Sequence, residues 1–170
     1  NKEGLMYLDA ILFNTTKTQK LVNELLKISR LNTKEITKEE INLNNLFEDQ
    51  IQNYSKIYKN RTINWQVEDN IPTIKADKTL MEQVISNLLD NALKYSSKKD
   101  ITNIEIGYLN NQKDPIYFIK DNGVGFNMKY KDKLFALFER LHQQKDFQGV
   151  GAGLAIVKKI MDKEGNAEGG

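Results

Sequence analysis

An acidic residue and two glycines form a motif with ligand-binding potential directly after a predicted strand. The motif reads Asp121-Asn122-Gly123-Val124-Gly125. A carboxylate accepts hydrogen bonds and can bind an exocyclic amine such as that of adenine. Glycines let the backbone adopt positive φ and approach a ligand closely. The motif is therefore compatible with a purine-binding turn, and a plain turn after a strand is the alternative interpretation.

A second glycine cluster of a different kind comes later in the chain. Gly149, Gly151 and Gly153 alternate and then open a helix that we expect to begin near Leu154. Helix N-termini present unpaired N–H groups and the positive end of the macrodipole, so this cluster indicates phosphate binding. Its spacing resembles a dinucleotide fingerprint, but the strand and the acidic residue that this fingerprint requires are missing. A flexible hinge is the alternative.

Two amides and an ammonium recur at helical spacing upstream of both glycine motifs. Asn87, Asn91 and Lys94 follow one another at i, i+4 and i+7, which places them on one stripe of a helix over residues 82–95. A solvated helix face is the alternative interpretation of the two asparagines. The apolar side of the same helix consists of Val84, Leu88, Leu89 and Leu93.

The hydrophobic pattern from residue 40 onward predicts the elements that hold these motifs. Ile74 leads through Ala76 into the asparagine-bearing helix, and Asp77 is a plausible N-cap for it, as Asn44 or Asn45 is for the preceding helix. The predicted strands lie at residues 40–43, 61–67, 104–108 and 115–120, and the last two form an antiparallel hairpin. The predicted helices lie at about residues 44–59, 82–95 and 154–163.

Residues 5–31 predict one long helix. Apolar residues recur at steps of three and four, and Thr15 and Gln19 weaken the middle of the stripe. A lone helix of this length cannot bury such a stripe by itself, so we expect a partner helix; packing on its own domain is the alternative. The polar stretch that follows, residues 33–41, is the expected linker.

Composition excludes several other classes of protein. The 170 residues are 39% apolar and 28% charged, with 25 Lys and Arg against 23 Asp and Glu, so we expect a globular domain without a nucleic-acid partner. Cysteine is absent, which fits a reducing compartment and a cytoplasmic location. No apolar run approaches the roughly 20 residues of a membrane span. The missing initiator Met and the polar end lead us to expect part of a longer protein.

The order of the motifs resembles that of sensor histidine kinases. The asparagine helix, the hairpin, Asp-Asn-Gly-Val-Gly-Phe, the run at residues 134–141 and the final glycine cluster match the N, G1, F and G2 boxes of that family. The residues after the F box are most similar to its phytochrome-like branch. The resemblance covers residues 40–163, and residues 1–32 look like the second helix of the family's dimerisation and phosphoacceptor bundle.

The resemblance implies an α+β fold, a two-layer α/β sandwich with a mixed, largely antiparallel sheet and three helices on one face, preceded by the long bundle helix. The implied catalytic ATP-binding domain spans residues 42–170 and is truncated at its C-terminus. The implied reaction is transfer of the ATP γ-phosphoryl group to a histidine of the bundle and then to a response regulator. The parent protein would dimerise through residues 1–32, and the sequence leaves open whether that protein is attached to a membrane.

The resemblance also implies roles for individual residues. Asn91 would coordinate Mg²⁺ beside Asn87, Lys94 would neutralise phosphate charge, and Arg140 would reach the γ-phosphate. Tyr95, Asp121, Gly123 and Gly125 would bind the adenosine end, and Phe135 and Phe138 would anchor the segment between the glycine motifs. The phosphates would be cradled by Gly149, Val150, Gly151, Ala152, Gly153 and Leu154.

The chain also departs from the family's pattern, and two rival functions remain. The single histidine, His142, lies outside the position expected for a phosphoacceptor, so the acceptor is not in this chain. One rival is a related ATPase that hydrolyses ATP to drive dimer gating; such enzymes use a Glu where Asn87 stands, and an amide cannot accept the proton of water. The other rival is a degenerate nucleotide-binding fold that only binds a partner. Phe135, Phe138, Tyr95 and Arg140 could also be ordinary core or surface residues.

Overall fold

A computed structural model describes residues 2–111, 114–137 and 151–166. Helix α1 spans Lys2–Thr33, which confirms the predicted long helix and extends it at both ends. Its N-terminal two-thirds exposes large apolar side chains, whereas Leu31 near its end is buried and Ile28 packs against the core. None of the helices in these described ranges is long and apolar enough to cross a membrane.

The next two elements correct the predicted boundaries. Strand β1 spans Lys38–Ile41, inside the segment expected to be a linker, and helix α2 spans Leu43–Ile57. The N-cap of α2 is Asn42, whose side chain accepts a hydrogen bond from Asn45 N (3.2 Å), so the prediction of Asn44 or Asn45 was wrong. Several amides close together can each cap a helix, and the apolar residues that must turn inward decide between them. The domain boundaries remain a prediction.

The remaining strands complete two small sheets. Strand β2 is Thr62–Val67, β3 is Ile74–Asp77, β4 is Ile101–Leu109 and β5 is Ile116–Asp121. β1 pairs with β3 in an antiparallel ribbon; in the second sheet, ordered β2-β4-β5, the first pair is parallel and the second antiparallel. The predicted hairpin is confirmed, and the mixed sheet is divided in two. Parallel pairing of β2 with β4 is possible because the chain crosses over through α3.

Helices α3, Lys78–Tyr95, and α4, Gly153–Asn166, pack on one side of the sheet beside α2. Alternation along β4 explains the two layers, because Thr102, Ile104 and Ile106 are buried while Asn103 and Glu105 lie on the opposite, polar face. Leu89, Leu93, Ile156 and Ile160 have no more than 1% of their surface exposed and join α3 to α4 in the core. The predicted two-layer α/β sandwich is therefore confirmed.

Candidate functional site

Helix α3 carries the stripe of two amides and an ammonium along a half-buried side. Its opposite side is buried in the core, and Asp77 caps it as predicted, accepting a hydrogen bond from Leu80 N at 3.1 Å. Asn87 Nδ2 donates to the carbonyl of Gln83 at 2.7 Å, which leaves Asn87 Oδ1 without a hydrogen bond to any residue in the described ranges. The side chain of Asn91 makes no hydrogen bond within those ranges. Both asparagines therefore retain capacity for a ligand.

The glycine motif after β5 packs against the C-terminal end of α3. Val124 N donates to Tyr95 O at 3.2 Å, and Gly123 N donates to Asp121 Oδ1 at 2.7 Å. A Cβ on Gly123 would lie 2.5 Å from Asp121 Oδ1 and 2.8 Å from the carbonyl carbon and oxygen of Tyr95, so only glycine fits there. Gly125 has φ of 63°, which also favours glycine. The Asp121 side chain is thereby oriented, and its Oδ2 has no donor among the described residues.

Arg61 forms hydrogen bonds with the C-terminal end of α3. Its Nη1 donates to Leu93 O at 2.6 Å, and its Nη2 donates to Ser96 Oγ at 2.9 Å and also to Thr102 Oγ1. Burial lowers the pKa of this guanidinium below its usual value. The arginine ties β4 to the last turn of α3 and so supports the contact between Tyr95 and the glycine motif.

The second glycine cluster opens α4 opposite the asparagines. Gly151 has φ of 76°, and Ala152 is buried and accepts the first hydrogen bond of the helix from Ile156 N at 3.0 Å. A Cβ on Gly153 would lie 3.2 Å from Asn87 Oδ1 and 3.8 Å from Asn91 Nδ2. The N–H groups at the start of α4 and the amides of α3 therefore face one another at close range. This arrangement suits a ligand that carries phosphate and a hard cation.

These elements enclose a cleft of about 740 Å³. The carboxylate of Asp121 and the amide of Asn91 both line it, as the sequence interpretation requires. Of the other predicted site residues, those that line the cleft are Asn87, Lys94, Tyr95, Gly125, Gly151, Ala152, Gly153 and Leu154. Gly123 does not line the cleft; its N–H bonds to Asp121 Oδ1 and so fixes the shape of the turn. The roles of these residues remain predictions.

Other predicted residues do not line the described cleft. Phe138, Arg140, Gly149 and Val150 lie outside the described residues, as does His142. Phe135 is within them, at the end of a segment that contains a 3-10 helix, Met128–Lys133, and its side chain is 45% exposed and does not line the cleft. The interpretation of Phe135 as ordinary core therefore does not hold in the described part of the chain.

Several residues that line the cleft were missed by sequence reasoning. β5 contributes Tyr117, whose pKa is raised mainly by burial, and the segment after β5 contributes Lys133. Helix α1 contributes Lys20 and Glu24, which lie far from α3 in the chain. The alternation along β5 could have indicated Tyr117. No sequence pattern places α1 against the cleft.

Three ammonium groups and two carboxylates line the described part of the cleft, an excess of one positive charge. Lys94 Nζ lies 4.4 Å from the centroid of the Tyr95 ring, an attraction between a cation and the ring face. Lys20 and Lys133 add two further ammonium groups, against the carboxylates of Glu24 and Asp121. Glu24 is itself paired with Lys27 at 2.9 Å. A polyanion is therefore electrostatically favoured over a cationic ligand.

Comparison with known proteins agrees with this geometry. Residues 76–168, more than half of the chain, match the family described as histidine kinase-, DNA gyrase B- and HSP90-like ATPases. Cyanobacterial phytochrome B of Nostoc sp. (strain PCC 7120) is 31% identical over 153 residues, which cover 89% of this chain and 20% of the phytochrome. The chain thus spans about a fifth of the length of this relative.

Solved structures of histidine kinases share the fold. The catalytic domain of the histidine kinase ThkA is 27% identical, with a TM-score of 0.58 over 77% of this chain and 82% of that domain. Full-length ShkA in complex with AMPPNP has a TM-score of 0.69 at 23% identity, over 96% of this chain and 34% of ShkA. The chain belongs to the histidine kinase-, DNA gyrase B- and HSP90-like ATPase family and is the catalytic ATP-binding region of a two-component sensor histidine kinase.

Proposed function

We propose that this region binds Mg·ATP in the cleft and transfers the γ-phosphoryl group to a histidine on a helix of the parent protein. The observation that carries the proposal is the continuous cleft that joins the Asp121 carboxylate to the asparagines of α3 and to the start of α4. Adenine would lie at Asp121, and the phosphates would lie between Asn91 and Gly153. The complex of ShkA with AMPPNP supports a nucleotide as the ligand.

The residues present fit a magnesium ion and a triphosphate. Asn87 Oδ1 accepts no hydrogen bond within the described part of the chain, and the absence of a Cβ at Gly153 leaves space beside it. Asn91 would hold the ion with Asn87 beside it, since amide oxygens suit Mg²⁺. When bound, the ion would neutralise phosphate charge. Lys94, at the end of the same stripe, would add a further positive charge on the phosphates.

In the proposed reaction an imidazole nitrogen of the acceptor attacks the γ-phosphorus, and the bond to the β,γ-bridging oxygen breaks to release ADP. The protein contributes position and charge rather than covalent chemistry. Lys94, and Arg140 outside the described residues, would stabilise the transferring group, with Asn87 orienting it. The acceptor would be a histidine of the dimerisation bundle, and a response regulator's aspartate would receive the group next. We expect the reaction in the cytoplasm, where ATP is supplied.

The exposed stripe of α1 supports dimerisation as part of the same proposal. Large apolar side chains of its N-terminal half are between 56% and 69% exposed: Leu5, Met6, Tyr7, Leu8, Ile11, Leu12 and Phe13. Contiguous apolar surface of this kind favours burial against another helix. We therefore expect two copies of the parent protein to associate through α1.

Nucleotide binding is the first test. Isothermal titration with Mg·AMPPNP should show binding by the wild-type chain, and both Asn91→Ala and Asp121→Asn should reduce the affinity at least a hundredfold, since each removes a direct ligand contact. Asn110→Ala and Asp100→Asn are matched controls, because both residues are exposed and neither lines the cleft. Unchanged affinity in both site variants would contradict the proposal.

The type of reaction is the second test. Incubation of the parent protein with ATP labelled on its γ-phosphate should give an acid-labile phosphohistidine. Release of inorganic phosphate without any phosphohistidine would instead favour a dimer-gating ATPase. The amide at Asn87 speaks against that rival, because it stands where such enzymes use a Glu and cannot accept the proton of water.

A further inference from the structure

Helix α1 is fixed against the catalytic domain at its C-terminal end. Leu31 is 4% exposed, Lys163 Nζ of α4 approaches Asn32 O at 3.5 Å, and Lys34 Nζ donates to Asp77 at 2.7 Å. These contacts hold the end of α1 beside the end of α4. The direction in which α1 continues from this point determines which of its side chains reach the cleft.

The two helices run side by side from that junction toward the phosphate end of the cleft. Counting back from Asn32 to Lys20 covers about 18 Å of helix, and counting back from Lys163 to Gly153 covers about 15 Å. Lys20 and Glu24 line the same cleft as Gly153 and Leu154. The middle of α1 is therefore level with the start of α4, where the asparagines of α3 also lie.

The charges on this part of α1 are not equivalent. Glu24 has a side chain only 19% exposed and is neutralised by Lys27 Nζ at 2.9 Å. Lys20 makes no ion pair or hydrogen bond with residues in the described ranges. Lys94, by contrast, already lies over the Tyr95 ring. Among the described residues, Lys20 is therefore an ammonium without a protein partner, at the edge of the cleft where a polyphosphate would end.

We propose that Lys20 binds the polyphosphate end of the nucleotide, so that α1 forms part of the nucleotide site. This inference rests on the proposed function. It adds a consequence, because binding linkage is reciprocal: a ligand held partly by α1 must stabilise the position of α1 against the domain. A change in the position of α1 would alter nucleotide affinity by the same free energy.

Titration of Lys20→Met with Mg·AMPPNP and separately with AMP tests the proposal. The variant should bind AMPPNP about fivefold more weakly, as expected for a solvent-exposed contact between an ammonium and phosphate, and should bind AMP as the wild type does. Lys17→Met is the matched control, since Lys17 is on the same helix, carries the same charge and does not line the cleft. It should bind both nucleotides as the wild type does.

Hydrogen exchange gives an independent measurement. Mg·AMPPNP should slow amide exchange across residues 17–24 in the wild type and have a smaller effect in Lys20→Met. Equal affinities of Lys20→Met and the wild type for AMPPNP would overturn the inference, as would equal losses in the Lys17 and Lys20 variants or an equal loss for AMP. Absence of nucleotide binding by the wild type would instead overturn the proposed function, and this inference with it.

Discussion

The polar side chains at the two ends of helix α3 differ in the number of hydrogen bonds that they form within the described part of the protein. At the N-terminal end, Asp77 is 5% exposed and accepts hydrogen bonds from Lys34 Nζ at 2.7 Å, Thr37 N at 3.2 Å and Leu80 N at 3.1 Å. Toward the C-terminal end, Asn91 is half-buried along an open cleft and has no hydrogen bond within the described residues. One helix thus carries a saturated polar cluster and an unsaturated one.

The hydrogen bonds around the saturated carboxylate of Asp77 join four elements of the domain. Asp77 N donates to Glu164 Oε1 of α4 at 2.9 Å, and Lys38 Nζ of β1 donates to the Glu164 carbonyl at 3.0 Å. Glu164 Oε2 is buried without a hydrogen bond within the described residues, and its charge is balanced by Lys38 Nζ at 3.9 Å. Buried charges destabilise a fold unless each is paired and hydrogen-bonded. The comparison teaches that protein donors occupy both oxygens of the Asp77 carboxylate at one end, which stabilises the fold, while Asn91 toward the other end keeps its hydrogen-bonding capacity for a ligand.

Removal of the Asp77 carboxylate should have the largest effect on stability. Asp77→Ala removes the N-cap of α3 and leaves Lys34 and the Thr37 N–H without their partner, so we expect a loss of about 3 kcal/mol in the free energy of unfolding. Urea denaturation followed by circular dichroism measures it. Asp100→Ala, an exposed matched control, should change it by less than about 0.5 kcal/mol. A loss below about 1 kcal/mol for Asp77→Ala would contradict the assignment of a structural role.

A methyl group at Gly123 should affect the ligand end of α3. Its Cβ would lie 2.8 Å from the Tyr95 carbonyl and 2.5 Å from Asp121 Oδ1, so the turn must shift and carry the carboxylate with it. We expect Gly123→Ala to lower nucleotide affinity at least tenfold and stability by about 1–2 kcal/mol. Gly4→Ala, where a Cβ meets nothing within 4 Å, is the control and should leave nucleotide affinity unchanged. Because Gly4 lies in helix α1, this control should not lower stability and should raise it by up to about 1 kcal/mol. Wild-type affinity in Gly123→Ala would show that the turn does not position Asp121.

Acid should weaken the saturated end by protonating Asp77. Burial alone would raise the pKa of Asp77, but the hydrogen bonds from Lys34, Thr37 and Leu80 and the charge of Lys34 outweigh it and hold the pKa below its usual value of 3.8. A depressed folded-state pKa contributes stability that is fully present above the unfolded pKa and is lost as pH falls through the folded pKa.

The measurement is the difference in unfolding free energy between the wild type and Asp77→Asn as a function of pH. Asn keeps the capping oxygen and loses the charge, so the wild type should be more stable at neutral pH by less than the Asp77→Ala difference. The advantage should shrink as pH falls from 3.8 downward. A difference that does not change over that range would mean that the charge of Asp77 contributes no stability.

An exposed ion pair should have the smallest effect. Lys158 Nζ and Asp162 Oδ2 are 2.6 Å apart on α4, and their side chains are 55% and 60% exposed. Such pairs contribute at most about 0.5 kcal/mol because water screens the charges. Lys158→Met should therefore leave both the unfolding free energy and nucleotide affinity within measurement error. A loss of stability comparable to that of Asp77→Ala would show that charge alone, rather than the burial of the charge, determines how much such a pair contributes to stability.

Periodic segments were predictable from the sequence because their signals are local. The long helix α1, the helix α3 with its cap at Asp77 and the hairpin of β4 and β5 all follow from apolar spacing. The N-cap of α2 was misplaced because neighbouring asparagines offer similar local signals. The strand β1 was assigned largely to a linker because its mostly charged residues form a strand only once β3 pairs with them.

The sequence predicted the motifs that line the cleft, but it did not predict all of the residues that form its walls. Asp121, Asn91 and the glycines at the start of α4, Gly151 and Gly153, are marked by residue type and spacing, so the sequence alone predicted residues that line the cleft. Their roles remain predictions. Tyr117, Lys133 and above all Lys20 are different, since a lysine on a polar helix face has the same local pattern wherever that face points. Only the packing of α1 on α4 brings Lys20 to the cleft.

The sequence by itself determined the strongly periodic helices and the β4–β5 hairpin, and it marked residues whose chemistry suits a nucleotide. The spacing of apolar residues reports only on neighbours within a few positions, which is the range over which helix and strand preferences act. The tertiary structure decided which polar groups obtain protein partners, as when Asp77 meets Glu164 across 87 residues of chain. Within the described part of the chain, it also left Asn91 and Lys20 without such partners. Burial and pairing depend on elements that meet only after folding. These two properties distinguish Asp77, a carboxylate with protein partners, from Asn91, an amide whose side chain remains open to a ligand.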